Sequence, residues 1–185
     1  MATTMRAQLT RAAAATLVTL IGSTTLSMGA PNTALPAGPP DAVFDLPAGV
    51  ACATFDLRVE IWNNPNRKEP KVFTDRNGNI VRMLSTGKGN TLAFTNLMNN
   101  ETRVLKANGA NDHVAISPDG LETHASTGHN VLVLFPTDVP AGPSTTLYVG
   151  RIVYTVDANP NSPTFGVFTL LRASGKATDI CAALA

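Results

Sequence analysis

Apolar and polar residues alternate strictly through residues 54–61, with Phe55, Leu57, Val59 and Ile61 set against Thr54, Asp56, Arg58 and Glu60. A period of two is that of a strand with one face buried, and it predicts a strand over 51–62. Shorter runs of the same kind follow at 71–74, 80–84, 91–96, 103–107, 113–117 and 121–126, each bounded by turn residues. Asp75-Arg76-Asn77-Gly78 and Ser117-Pro118-Asp119-Gly120 read as type I turns with glycine in the left-handed position. Asn99-Asn100 and Asn108-Gly109 mark two further reversals. Neighbours in sequence therefore pair antiparallel, as a meander.

The later strands have a different pattern. Residues 131–135 are apolar throughout, and 145–156 carry Leu147, Val149 and Val153 on one face and Tyr148, Ile152, Tyr154 and Val156 on the other. Residues 164–171 set Phe165, Val167 and Leu171 against Phe168 and Leu170. Such strands are buried on both faces, by a second sheet, by a closed barrel with an outer layer, or by another subunit. Gly150 and Gly166 fall where a barrel strand would bend. The expected fold is all-β, an antiparallel meander closing into a barrel, with a β-sandwich as the alternative. Thr178-Asp179 is placed to cap one last helical turn carrying Ile180, Cys181 and Leu184.

Composition changes this picture at the beginning of the chain. Arg6 and Arg11 precede an apolar stretch at 12–21, about ten residues where a bilayer span needs roughly 20, which is the form of a secretory signal. Residues 1–30 are expected to be that signal, 31–50 a Pro, Ala and Gly-rich arm, and 51–185 one β-domain with no membrane span in the mature protein. In an oxidising compartment Cys52 and Cys181 form a disulfide joining the two ends of the domain.

Charged residues make up 15% of the chain and the net charge is +1, so no basic face exists for nucleic acid. No G-x-S-x-G, phosphate loop or metal-ligand spacing is present, so the sequence gives no catalytic residue, no metal site and no cofactor. Asn100-Glu101-Thr102 has the form of a glycosylation acceptor. His129 and Asp138 flank the apolar run 131–135, about 20 Å apart along a strand, too far for a dyad. They read as turn residues, with Asp138 bonding backbone in the proline loop.

Candidate ligand-binding residues are Arg151, Tyr148, Tyr154, Trp62, His124 and Glu122. Arg151 shares a predicted face with Leu147 and Val153, where a cation needs either a bound carboxylate or a partner such as Asp56 or Glu60. Pairing Ser117 with Leu121 sets His124 opposite Val114, on the face of Glu122 and Ile116, with His113 on the other face. Trp62 is either an exposed stacking platform or a plug at the barrel end.

Through Ala51-Cys52, Asp75-Arg76-Asn77-Gly78, Ser117-Pro118-Asp119-Gly120, Gly128-His129-Asn130, the segment 135–151 and Asp179-Ile180-Cys181-Ala182, the chain resembles a group of small secreted actinobacterial proteins. That resemblance implies secretion and a common fold and no particular activity. In architecture alone it is similar to the eight-stranded barrels of dirigent proteins and allene oxide cyclases, with no catalytic motif matched. The sequence thus points first to a secreted, non-enzymatic binder of a small apolar or amphipathic ligand. A barrel enzyme using Arg151, His124 and Glu122, and an envelope or protein interaction module, including a homo-oligomer, are the alternatives.

Overall fold

The computed structural model describes residues 34–106 and 109–185. The expected signal sequence and Asn108 of the expected reversal lie outside the described residues.

Among the described residues ten strands follow one another: β1 (Ala42–Leu46), β2 (Leu57–Trp62), β3 (Lys71–Thr74), β4 (Ile80–Lys88), β5 (Thr91–Asn96), β6 (Thr102–Leu105), β7 (Gly109–Ile116), β8 (Leu121–Leu134), β9 (Ser144–Asp157) and β10 (Phe168–Asp179). All pair antiparallel, in a four-stranded sheet of order β1-β2-β5-β6 and a six-stranded sheet of order β10-β9-β8-β7-β4-β3. Neither sheet closes, so the expected barrel gives way to the sandwich-like alternative. The cause is the choice of partners: β2 lies between β1 and β5, and so never meets β10.

Three local expectations change as well. The stretch 31–50 contributes β1, whose Phe44 pairs with Val59 and whose Leu46 pairs with Leu57. Residues 121–126 and 131–134 belong to one strand, β8, which leaves Phe135 just outside it, because Gly128, His129 and Asn130 stay in register with Gly150, Val149 and Tyr148. The chain bends there without reversing. Gly128, Gly150 and Gly175 form a row across three strands, all with positive φ, and a Cβ at Gly150 would stand 2.1 Å from the Ser174 carbonyl oxygen. A strand starting at 164 is likewise displaced to Phe168, since Asp157 takes hydrogen bonds from the Ser162 and Thr164 hydroxyls and folds 159–166 into turns.

The main core lies between the sheets. Leu57, Val59 and Phe94 of the smaller sheet pack with Phe55, Cys52, Ile180 and Leu184, and Val131, Val133 and Leu147 of the larger sheet close over them. The inward set on β2 is the one its alternation predicted. The Cys52–Cys181 disulfide is formed, with 5.6 Å between the Cα atoms, and it ties the loop before β2 to the turn after β10. That turn is capped by Asp179, which accepts from the Ala182 amide at 3.0 Å. The buried Asn96 amide and Asn99 then hold the Leu184 carbonyl at 2.9 and 3.0 Å.

Candidate functional site

The site starts from one hairpin. Ser117-Pro118-Asp119-Gly120 turns as its sequence requires, with the Ser117 amide bonded to the Leu121 carbonyl and Gly120 at φ 86°. That fixes the β7–β8 register: Ile116 faces Glu122, Val114 faces His124 and Asp112 faces Ser126. Counting back from the turn by twos therefore puts Asp112, His124, Ser126 and Glu122 on one side of the sheet.

There they form a closed cluster. His124 Nδ1 lies 3.0 Å from Asp112 Oδ2, His124 Nε2 lies 3.2 Å from Glu122 Oε2, and Ser126 Oγ donates to Asp112 Oδ1 at 2.5 Å. The imidazole stacks on Tyr154 of β9, with centroids 4.5 Å apart and 6° between planes, and Tyr154 stacks in turn on Phe168. Burial works against a charge on His124, but the hydrogen bond and charge of Asp112, followed by those of Glu122, outweigh it and raise its pKa. Burial also works against the Asp112 carboxylate, and the bonds from His124 and Ser126 overcome it, so that the pKa falls. Burial, with the Asp112 charge nearby, pushes the Tyr154 phenol up to about 12.

These contacts hold charge in place. Ser126 donates to Asp112, whereas the serine of a Ser-His-Asp triad gives its proton to the histidine. Both ring nitrogens face carboxylates on opposite edges of the ring, so the acids share no apex for a cation. Among the described residues no group of three His, Cys, Asp or Glu side chains is arranged to hold a metal.

The cluster borders a cavity of about 690 Å³ between the two sheets. Leu92, Val104 and Leu105 supply one wall, and Val131, Leu132, Leu147 and Ile152 supply the other. Asp112, Tyr154, Ser85, Asn90 and Asn130 add polar groups to the lining, while the exposed Arg67, Lys68, Lys88 and Lys106 line its outer rim. A second recess of about 500 Å³ adjoins it, sharing Lys88, Gly89 and Lys106 and reaching Trp62.

Of the residues singled out in the sequence, His124, Glu122 and Tyr154 come together here, with Tyr154 reaching the cavity. Arg151 does not. It is exposed, between Thr127 and Ser174 on neighbouring strands, and three positions from Tyr154, hence on the opposite face. Leu147, on the other side of Gly150, packs on the core, so of the predicted apolar neighbours Val153 alone stays on the face of Arg151. The arrangement of Arg151, His124 and Glu122 in one pocket is thereby removed. Tyr148 pairs with Asn130 beyond the glycine row and is not a cavity wall. Trp62 is 9% exposed and donates to the Gly38 carbonyl at 3.2 Å, which makes it a plug and not an exposed platform.

His129 lies within β8 at the cavity rim, not in a turn. Asp138 does what a loop aspartate was expected to do, accepting from the Phe135 and Phe168 amides at 2.7 and 2.9 Å. Asp112 and Ser126 were missed, although the same register that placed His124 against Val114 would have found them two residues further along each strand. The cavity walls come from six strands and no local signal announces them.

Comparison of the chain with protein-family models, with curated proteins and with solved structures finds no match.

Proposed function

We propose that this is a secreted protein, like the actinobacterial proteins it resembles, and that it holds a small apolar or amphipathic molecule between its sheets. The observation that carries the reading is the inter-sheet cavity: about 690 Å³, within the roughly 300–1,000 Å³ of small-molecule sites, with aliphatic side chains from both sheets in its walls beside polar and cationic ones. The disulfide supports an oxidising compartment. Among the described residues no helix is long and apolar enough to cross a membrane.

Displacement of an apolar fluorescent probe tests the reading. The protein is expected to bind the probe with one-to-one stoichiometry, and Val104→Trp, which fills the space from the smaller sheet, is expected to abolish binding with the far-ultraviolet spectrum unchanged. Equal binding by the filled variant would overturn it.

An interaction surface is a second reading, favoured by a separate group. Phe135, Val139, Phe165 and Leu171 are all exposed around the end of β10, where Val139 bridges Thr169 and a bulge turns Leu171 outward. Light scattering that gives twice the monomer mass, reverting with Leu171→Ser, would favour it.

A further inference from the structure

We propose that the molecule held in the inter-sheet cavity is an amphipathic anion, its acidic head at the lysine-bearing rim and its apolar chain between the sheets. This rests on the cavity being a ligand site and adds the chemical class of the ligand.

The charge layout carries it. Arg67, Lys68, Lys88 and Lys106 converge on one rim, although the whole chain has a net charge of only +1. Among the described residues the ion pairs are Arg58 with Asp45 and His124 with Asp112 and Glu122, so none of the four rim cations is paired. Among the described residues that line the cavity the one carboxylate, Asp112, is already engaged by His124 and Ser126. Unpaired cations beside an apolar recess select an anionic head by charge complementarity, since a neutral head gains nothing from them and a cationic one is repelled.

Asp112 also sets the direction. An acid head placed inward would face this carboxylate, whereas at the rim it meets Arg67, Lys68, Lys88 and Lys106 and no acid that lines the cavity. Lys88 and Lys106 lie where the main cavity meets the smaller recess, so a head as large as sulfate or phosphate has room to be approached from both sides.

The experiment titrates the full mature protein with decyl sulfate, decanoate, decanol and decyltrimethylammonium below their micelle concentrations. The fluorescence of Trp62, the single tryptophan, reads binding because it borders the adjoining recess. Decyl sulfate and decanoate are expected to bind about ten-fold more tightly than decanol, a preference that high salt removes. Lys88→Gln with Lys106→Gln is expected to erase the preference while decanol affinity stays put; Lys176→Gln, a charge loss on the distant β10, should leave it intact. Equal affinity for decyl sulfate and decanol, or a preference for decyltrimethylammonium, overturns the anionic head and leaves the cavity reading standing. Binding of none of the four overturns both. A preference that Lys176→Gln removes as effectively as the rim pair is a general charge effect and also overturns the assignment.

Discussion

His124 and Asp112 face each other from adjacent strands at 3.0 Å, and the imidazole bridges on to Glu122 at 3.2 Å, so one ring holds two carboxylates beside the cavity wall. The raised pKa of His124 means that its stabilising contribution is complete below the ordinary value of 6.5 and is lost as pH rises through the higher folded value. The lowered pKa of Asp112 works in the other direction: its contribution is present above about 3.9 and disappears as pH falls through the folded value. The two overlap in a window from about 4.5 to 6. Removing the ring with His124→Gln is therefore expected to cost about 1.5–3 kcal/mol there, the scale of hydrogen bonds to charged groups, and less at pH 9. Paired thermal melts across pH check this; a gap that widens with pH would be the wrong sign.

Arg151→Leu is expected to change little. The side chain is exposed and makes none of the ion pairs found among the described residues, so stability should move by no more than about 0.5 kcal/mol and probe binding should be unaffected. Melts and probe titration side by side decide it. A loss of binding would place Arg151 at the ligand after all.

Gly150→Ala should be far more damaging than its size suggests. At φ 154° and with the Ser174 carbonyl oxygen 2.1 Å from the new Cβ, the strands must separate or the bend must straighten. We expect a loss of about 2–4 kcal/mol, among the larger single-residue effects, measured by urea unfolding. A wild-type midpoint would show that the glycine row is not needed for the bend.

Asp138→Ala leaves two backbone amides, those of Phe135 and Phe168, without their acceptor at a site 4% exposed. Unsatisfied buried donors cost about 1–3 kcal/mol each, and partial access of water to the loop should bring the total to about 2–4 kcal/mol. Hydrogen exchange at the Phe168 amide gives a local reading, with faster exchange expected before any global change. Asp138→Asn, which keeps one acceptor oxygen, should recover part of the loss.

The residues legible in sequence are those whose environment is set within a few positions. The alternation in 54–61 gave the buried face of β2 because side chains on a strand must alternate. The Ser117-Pro118-Asp119-Gly120 turn fixed a register that placed His124 against Val114, and the same counting contained the Asp112 and Ser126 pairing. Cys52 and Cys181 had only each other to pair with. Arg151 was misplaced for the opposite reason: its surroundings depend on a bend whose cost is met by glycines on three strands, and one strand's pattern cannot show that row.

Sequence by itself therefore determined an all-β chain, most of its strands, its disulfide and one hairpin register. Each follows from local sterics, alternation or the lack of another partner. Only the tertiary structure decided that the strands divide into two open sheets and leave a cavity between them with its cations on one rim. Those features arise from pairing and packing between residues far apart in the chain, such as Leu92 and Leu147 lining one cavity, where many partitions satisfy the same local pattern and total packing selects one.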